Sequence, residues 1–259
     1  MQKTPITHIP SLPRELEEIA VASGIYDTSC SRAARVYFID RDGGYYLKTA
    51  QKGTLEREAE MTRFFASRSL GAQVVEYLSL ERDWLLTEAV RGEDCIAECC
   101  LSDPALLCDT LGEVMLMLHS QPTEGCPKAN RTEEYLENVD KGYREGRFYT
   151  RDIGAFGITD REQAYRLVVD NRHLFEQNCL IHGDFCLPNI MLYNRRFSGF
   201  IDLDHAGVGD RHIDIYWVLW SLRYNLKTDA WAERFMQAYG RDKINPDMLP
   251  IIAAAEAFG

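Results

Sequence analysis

The sequence predicts an α+β fold in which a small strand-rich part precedes a larger, mostly helical part. In the first part, β-rich runs are separated by turns such as Arg41-Asp42-Gly43-Gly44, a strong hairpin signal. In the second part, apolar residues recur at the three-to-four spacing of buried helices. A further hairpin at residues 190–201 interrupts the helices. Periodicity breaks near residue 92, which predicts two lobes, 1–92 and 93–259.

The N-terminal lobe is predicted to contain two helices and four strands. Ser11 as a cap and Pro13 in the first turn predict a helix over residues 13–20. Thr54 is predicted to start the second helix, in which Met61 belongs to the buried stripe. The strands are predicted at residues 36–40, 45–49, 74–80 and 84–87.

The C-terminal lobe is predicted to contain six helices. Asp160 is a plausible cap for one of them, and the apolar character around Trp217 indicates that another is internal. The predicted helices cover residues 104–119, 132–146, 160–175, 212–224, 229–239 and 246–258.

Residues 180–202, which read LIHGDFCLPNIMLYNRRFSGFID, carry the chemistry. His182 precedes Asp184 by two positions, Asn189 follows it by five, and Asp202 ends the returning strand. Phosphoryl transfer needs a carboxylate that orients the acceptor hydroxyl and takes its proton, and oxygen ligands for Mg²⁺. Asp184 is therefore predicted as the catalytic residue, with Asn189 and Asp202 as the metal ligands. The alternative is a surface hairpin with scattered polar residues, which does not account for the ordered set.

Lys48 is predicted to bind the nucleotide together with Glu58. A Lys in mid-strand usually faces solvent, but Glu58 follows ten positions later and lies three residues before Met61, on the inward side of its helix. Glu58 can therefore reach Lys48 and hold it against the α- and β-phosphates, as the Lys–Glu pair of a kinase does. The Asp184 segment, which supplies the other parts of a kinase site, favours this interpretation.

The stretch from His182 to Asp202 strongly resembles the catalytic segment of the aminoglycoside phosphotransferases, particularly the 3′-phosphotransferase branch. The shared residues are His-Gly-Asp, Leu-Pro-Asn-Ile and Phe-Ser-Gly-Phe-Ile-Asp. The similarity continues through residues 207–215 and extends more thinly back to about Val36. The resemblance implies a protein-kinase-like bilobal fold, with a small antiparallel-sheet lobe that contains a helix and a larger helical lobe that contains the catalytic hairpin.

The resemblance also implies roles for residues outside the central motif. Ser31 occupies the place of the kinase glycine-rich loop and would bond the phosphates of the nucleotide, although a polar hairpin turn is an equal alternative. The backbone near Glu88 and Val90 would bind the base, at the hinge between the lobes. His182 would shape the catalytic loop, and Asp214 is predicted to help to fix it.

In the resembled family an acidic loop and an acidic C-terminus bind the cationic acceptor. The corresponding residues here are Asp152, Glu256 and Phe258. The chain departs from the family pattern, because it has fewer acids around Asp152, Ala255 where an Asp is usual, and Asp204-His205 after the metal-binding carboxylate. These departures leave the phosphate machinery intact and leave the identity of the acceptor open.

Composition and charge limit the partners. The net charge of −11 argues against nucleic acid and is compatible with a small cationic substrate. No apolar run approaches the length of a membrane span, and no secretory signal is recognised, so we expect a cytoplasmic protein that does not bind membranes. The eight cysteines are predicted to be reduced thiols, mostly buried. A monomer or weak dimer is expected.

Three functions remain open. The leading prediction is a Mg²⁺-dependent kinase that transfers the γ-phosphate of ATP or GTP to an aminoglycoside hydroxyl, the 3′-hydroxyl by resemblance, and so confers antibiotic resistance. The second is a kinase of the same fold for another small alcohol, such as an amino alcohol, a sugar or a macrolide. The third is a non-catalytic nucleotide-binding protein, which the intact set of Lys48, Asp184, Asn189 and Asp202 argues against.

Overall fold

The computed structural model describes residues 3–21, 24–30, 33–150 and 153–259. The chain forms two compact units, one of residues 1–92 and 198–204, the other of residues 93–197 and 205–259. The sequence prediction assigned residues 198–204 to the second lobe, but they belong to the first unit. They join the first unit because Phe200 donates its N–H to the Leu70 carbonyl at 2.8 Å and Asp202 pairs with Lys48.

The first unit is built on a six-stranded antiparallel sheet. Its strands are β1 (Thr4–Ile6), β2 (Gly24–Asp27), β3 (Ala34–Asp40), β4 (Tyr45–Gln51), β5 (Val74–Ser79) and β6 (Arg82–Glu88), in the order β1-β2-β3-β4-β6-β5. Ile39, Leu47 and Leu86 belong to the apolar core on one face, and Leu85 belongs to a second buried cluster on the other. In the register of this sheet Lys48 of β4 is opposite Val36 and Leu85, so it lies on a central strand.

Helix α1 (Glu56–Ala66) is the single α-helix among the described residues of the first unit. It begins two residues after Thr54, whose hydroxyl donates to the Gln51 carbonyl and does not cap the helix. The buried carboxylate of Asp83 instead accepts the Leu55 N–H at 2.9 Å. Glu58, Met61 and Phe65 are buried, as the periodicity predicted.

The helix predicted over residues 13–20 is wrong. The chain makes only a 3₁₀ turn at Arg14–Leu16, because Pro13 provides no side-chain cap and Ser11, the proposed cap, has φ 55°. Leu16 is nevertheless buried in the core of the sheet.

The second unit is mostly helical. Its helices are α2 (Glu98–Leu101), α3 (Pro104–His119), α4 (Arg131–Arg144), α5 (Arg161–Asp170), α6 (Arg211–Leu226), α7 (Ala232–Tyr239) and α8 (Met248–Glu256). Asp160 caps α5 by accepting the Gln163 N–H at 2.8 Å, as predicted, but the helix stops at Asp170 and a 3₁₀ turn follows at Arg172–Leu174. Among the described residues, no helix has the length and hydropathy that a membrane-spanning helix requires.

Short strands frame the catalytic segment. They are β7 (Glu93–Asp94), β8 (Cys179–Ile181), β9 (Ile190–Tyr193), β10 (Arg196–Phe200) and β11 (Gly207–Gly209). Strand β8 pairs antiparallel with β11, and β9 lies between β7 and β10. The loop between β8 and β9 therefore begins and ends on paired strands, which fixes the ends of the segment that contains Asp184 and Asn189.

Candidate active site

Lys48, Glu58 and Asp202 form a charged cluster in the first unit. The Lys48 Nζ lies 2.7 Å from Glu58 Oε2 and 2.9 Å from Asp202 Oδ1. The side chain of Glu58 is only 8% exposed, whereas that of Asp202 is 51% exposed. One ammonium group is thus held between a buried carboxylate and an accessible one.

The environment sets the protonation of this cluster. Burial by itself would lower the pKa of Lys48, but the charges of Glu58 and Asp202 outweigh it and raise the pKa above the ordinary value. Burial raises the pKa of Glu58 to about 7, against the opposing effect of Lys48. Lys48 therefore remains a cation at neutral pH.

The backbone places Asp202 in an unusual conformation. Its φ is 60°, in the left-handed region that residues other than glycine rarely adopt. It follows β10, whose last residues belong to the first unit. There Phe200 bridges to Gly71, and Val90 packs closely over Gly199. A non-glycine residue in this region costs about 1–3 kcal/mol and is often found at functional sites.

Asp184 and Asn189 form a second polar pair, in the second unit. The Asn189 Nδ2 donates to the Asp184 carboxylate at 2.8 Å and to the Asp184 carbonyl at 2.9 Å. Both bonds use the amide nitrogen, so Oδ1 is the atom of Asn189 that could bind a cation. Asn189 is buried and Asp184 is partly exposed, so Asp184 keeps access to a ligand.

The carboxylate of Asp214, on α6, anchors the loop between β8 and β9. Its fully buried carboxylate accepts the His182 N–H at 2.8 Å and the Gly183 N–H at 2.7 Å. His119, on α3, lies 3.1 Å from the same carboxylate. His182 is fully buried, and its Nδ1 accepts the Asp184 N–H at 3.3 Å. These contacts are those expected of residues that shape the loop.

Gly183 is required by close packing. Its φ is 81°, and a Cβ at this position would stand 2.1 Å from the His205 carbonyl oxygen. That carbonyl accepts a hydrogen bond from Arg131 Nε at 2.8 Å, so it is held in place. The kinase loop has an Arg at the position of Gly183, and this packing explains why the present chain has glycine there.

A pocket of about 740 Å³ in the second unit opens beside Asp184. Its described lining contains two carboxylates, Asp184 and Glu256, and the aromatic side chains of Tyr135 and Trp217. Tyr135 donates its hydroxyl to Glu256 Oε1 at 2.8 Å. Burial raises the pKa of Glu256 to about 7, against hydrogen bonding from Tyr135 and the charge of Arg131.

The structure places the other predicted site residues in different surroundings, and two of them lie outside the described ranges. Ser31 and Asp152 lie outside the described residues. Glu88 ends β6 and donates its N–H to the Gln73 carbonyl at 2.9 Å. The prediction that Phe258 contacts the acceptor is wrong. Its side chain is fully buried among Tyr143, Phe148 and Tyr165 and offers no face to a substrate.

Sequence reasoning missed the pocket residues Arg131, Tyr135 and Trp217. The first two belong to α4 and the third to α6, so packing brings together positions more than 80 residues apart. Arg131 and Tyr135 are four residues apart on one helix face, which is a signal for a shared surface but not for a substrate pocket.

Asn189 and Asp202, taken separately, carry ligand types that a hard divalent cation prefers. Asn189 of the second unit offers an amide oxygen, and Asp202 of the first unit offers a carboxylate. Within the described ranges, no cluster of three or more His, Cys, Asp or Glu side chains is arranged to hold a metal ion alone. A magnesium ion that takes most of its ligands from phosphates and water needs no such cluster.

The chain matches known proteins over most of its length. The family model "Phosphotransferase enzyme family" matches residues 31–250. A probable aminoglycoside 3′-phosphotransferase of Lactococcus lactis subsp. lactis is 43% identical over 97% of both chains. The chain belongs to the aminoglycoside phosphotransferase family. It is therefore an O-phosphotransferase, and the resemblance drawn from residues 182–202 is confirmed.

Solved structures support the fold of this phosphotransferase. An aminoglycoside 3′-phosphotransferase of type VIII has a TM-score of 0.70 and 24% identity, and covers 91% of this chain and 94% of its own. An aminoglycoside phosphotransferase of Streptomyces rimosus, solved with ADP and streptomycin, has a TM-score of 0.68 and 20% identity, and covers 86% and 90%. The protein-kinase-like α+β fold is thereby confirmed.

Proposed function

We propose that this phosphotransferase transfers the γ-phosphate of ATP or GTP to a hydroxyl of an aminoglycoside antibiotic, the 3′-hydroxyl, and so confers resistance. The observation that carries the proposal is the position of Asp184. Its carboxylate is oriented by Asn189 and lines a pocket that also contains the carboxylate of Glu256. Glu256 can thus hold a polar acceptor while Asp184 receives the proton of the acceptor hydroxyl.

Asp184 acts as the catalytic base. Its carboxylate accepts a hydrogen bond from the acceptor hydroxyl, directs the oxygen towards the γ-phosphorus, and takes the proton as the new P–O bond forms. Asn189 and Asp214 have positioning roles, because one orients the carboxylate and the other fixes the loop backbone.

Lys48, Glu58 and Asp202 bind the donor. The Lys48 ammonium contacts the phosphates, and Glu58 keeps it oriented. Asn189 and Asp202 would be the protein ligands of Mg²⁺, which would supply positive charge to the phosphates. Ser31 is proposed to contact the phosphates, and the backbone at Glu88 and Val90 to bind the base. Residues 1–92 form the nucleotide lobe in this proposal, and 93–259 the catalytic and acceptor lobe, with 198–204 packed in the first unit.

The acceptor pocket recognises an amino sugar by charge and by stacking. Glu256 is the proposed partner of an acceptor ammonium, and Asp152, outside the described residues, remains a proposed second one. Trp217 and Tyr135 supply flat apolar surfaces on which a sugar ring can pack. The name of the Lactococcus lactis relative and the ADP and streptomycin bound to the Streptomyces rimosus protein support an aminoglycoside acceptor and a nucleotide donor.

A second candidate function is phosphorylation of another small alcohol. The described lining of the pocket contains Arg131 and His205 beside its two carboxylates. This mixed charge favours an acceptor with few ammonium groups over a strongly polycationic one.

One assay tests both candidates. Phosphate transfer from ATP and from GTP is measured against 3′-hydroxyl and 3′-deoxy aminoglycosides, a macrolide and simple amino alcohols, with and without Mg²⁺. Transfer restricted to aminoglycosides with a 3′-hydroxyl supports the proposal. Transfer to another alcohol alone favours the second candidate, and no transfer by the wild type to any acceptor contradicts both. Asp184→Asn is the inactive control, and Asp170→Asn, an exposed carboxylate on α5, is the matched active one.

A further inference from the structure

Three helix ends meet at the residues that hold the catalytic loop. His119 is the last residue of α3, Tyr239 is the last residue of α7, and Asp214 lies in the first turn of α6. All three side chains are buried. His119 Nε2 lies 3.1 Å from Asp214 Oδ2, and His119 Nδ1 lies 2.8 Å from the Tyr239 hydroxyl oxygen. The imidazole therefore connects the tyrosine hydroxyl to the carboxylate that anchors the loop.

The partners determine where the protons of this cluster lie. Asp214 accepts the main-chain N–H groups of His182 and Gly183, and an ionised carboxylate has only acceptor atoms. His119 must therefore donate from Nε2, which leaves Nδ1 of the neutral imidazole as an acceptor. The donor to Nδ1 is the Tyr239 hydroxyl. Burial raises the pKa of Tyr239 to about 12, so the hydroxyl keeps its proton at neutral pH.

The Tyr239 hydroxyl is held in place by a hydrogen bond and by helix packing. Arg211, the first residue of α6, donates from Nη1 to the hydroxyl oxygen at 3.4 Å. Gly112 lets α7 approach α3 closely, because a Cβ there would stand 2.7 Å from the Tyr239 main-chain nitrogen. Gly112 and His119 lie about two helical turns apart and so share one face of α3. The close packing of the two helices therefore brings the hydroxyl within reach of the imidazole.

We propose that Tyr239 is a positioning residue for phosphate transfer, which acts on the catalytic loop through His119 and Asp214. By donating to Nδ1, the hydroxyl selects the imidazole tautomer that carries its proton on Nε2. Without this donor the proton can move to Nδ1, and the lone pair of Nε2 then faces the Asp214 carboxylate. The resulting repulsion displaces the carboxylate from the two loop N–H groups, so Asp184 is no longer held in its position.

The proposal separates the chemical step from binding. Tyr239 is not part of the described lining of the acceptor pocket, so loss of its hydroxyl should affect the position of Asp184 and not the contacts of the acceptor. The effect on turnover rests on the proposed role of Asp184 as the base, whereas the tautomer of His119 does not.

The first test is Tyr239→Phe, which removes the hydroxyl and keeps the ring. We expect kcat to fall about tenfold, as for the loss of one buried hydrogen bond, while the acceptor KM and the nucleotide affinity change by less than about twofold. In ¹⁵N NMR spectra the wild type should show His119 protonated at Nε2 and not at Nδ1, and the variant should show a mixture of tautomers. The signals of His119 are those that disappear in His119→Gln.

The second test combines two substitutions. His119→Gln replaces the imidazole by an amide, whose N–H can donate to Asp214 and which has no ring tautomers. If Tyr239 acts through His119, Tyr239→Phe should lower kcat no further in this background. Tyr193→Phe is the matched control, because Tyr193 ends β9 with an exposed side chain, and it should keep the kinetics of the wild type.

An unchanged kcat in Tyr239→Phe, or the same fall in kcat in the His119→Gln background as in the wild type, would overturn the positioning role. An imidazolium, or a proton on Nδ1 alone, at His119 of the wild type would overturn the tautomer assignment. The NMR measurement needs no turnover, so it tests the tautomer even in a protein that phosphorylates none of the acceptors. The proposal and the proposed function therefore fail separately.

Discussion

The His205 carbonyl oxygen occupies the space that a side chain at Gly183 would need, since a Cβ there would stand 2.1 Å from it. Gly183→Ala therefore combines this clash with a φ of 81° that alanine rarely adopts. We expect a loss of at least about 2 kcal/mol in the free energy of unfolding, together with a large fall in turnover. Chemical denaturation and steady-state kinetics measure the two effects.

Gly154→Ala is the control for that substitution, because a Cβ at Gly154 would meet nothing within 4 Å. It should leave stability unchanged or slightly raised. Equal effects of the two substitutions would contradict the packing argument.

Asp184→Ala should lower kcat by about 10²–10⁴-fold, the usual contribution of a positioned general base. Nucleotide affinity should remain nearly that of the wild type, because the carboxylate acts on the acceptor hydroxyl. Single-turnover kinetics measure the rate of the chemical step, and calorimetric titration measures the nucleotide affinity separately. A parallel loss of nucleotide affinity would assign Asp184 to donor binding.

Asp202→Ala should abolish the part of nucleotide binding that depends on Mg²⁺. The substitution removes the proposed metal ligand, which is also one of the two carboxylates that contact Lys48. Nucleotide titrations at several Mg²⁺ concentrations test this. Asp42→Asn, at an exposed turn of the same unit, should retain the wild-type dependence. An unchanged dependence in Asp202→Ala would contradict the metal role.

The raised pKa of Glu256 predicts that the stability of the protein depends on pH. Its pKa is about 7 in the folded protein and 4.5 as the reference for the unfolded chain. Between these values the folded state binds more protons, so the free energy of unfolding falls as pH rises from about 4.5 to about 7. Glu256→Gln removes that decrease, and the difference in Tm between variant and wild type should grow over this range and then level off.

The same ionisation should strengthen binding of a cationic acceptor, so its KM should fall as pH rises through about 7 in the wild type but not in Glu256→Gln. Glu233→Gln, at an exposed side chain of α7, is the control that should follow the wild type in both measurements. Superimposable pH profiles for wild type and Glu256→Gln would show that this carboxyl does not titrate in the range.

Sequence reasoning succeeded where the signal is local. Helix α3 was predicted with its observed bounds from the apolar residues that recur along one face. In the structure Asp103 caps this helix by accepting the Leu106 N–H. The pairing of Lys48 with Glu58 was also predicted. That prediction used the inward position of Glu58 on its helix and also the distant Asp184 segment, because a Lys in mid-strand usually faces solvent.

It failed where distant parts of the chain decide the outcome. Strand β2 was missed, because its four residues gain their stability from pairing with β1 and β3 and not from their own pattern. The packing of Gly183 against His205 joins a loop to a residue beyond the hairpin, and no local pattern indicates it. The burial of Phe258 likewise depends on α4 and α5, so the sequence could not show that this aromatic is part of the core.

Asp214 holds the catalytic loop through main-chain N–H groups alone, those of His182 and Gly183. Since every amino acid except proline presents the same N–H, this anchor does not depend on the identity of the side chains that follow. Of the two positions that follow Asp184, Phe185 is fully buried and Cys186 is partly exposed, so position 186 is the place where relatives could diverge without loss of packing. Replacement of Asp214 itself has no such tolerance, because a single substitution would release both N–H groups together.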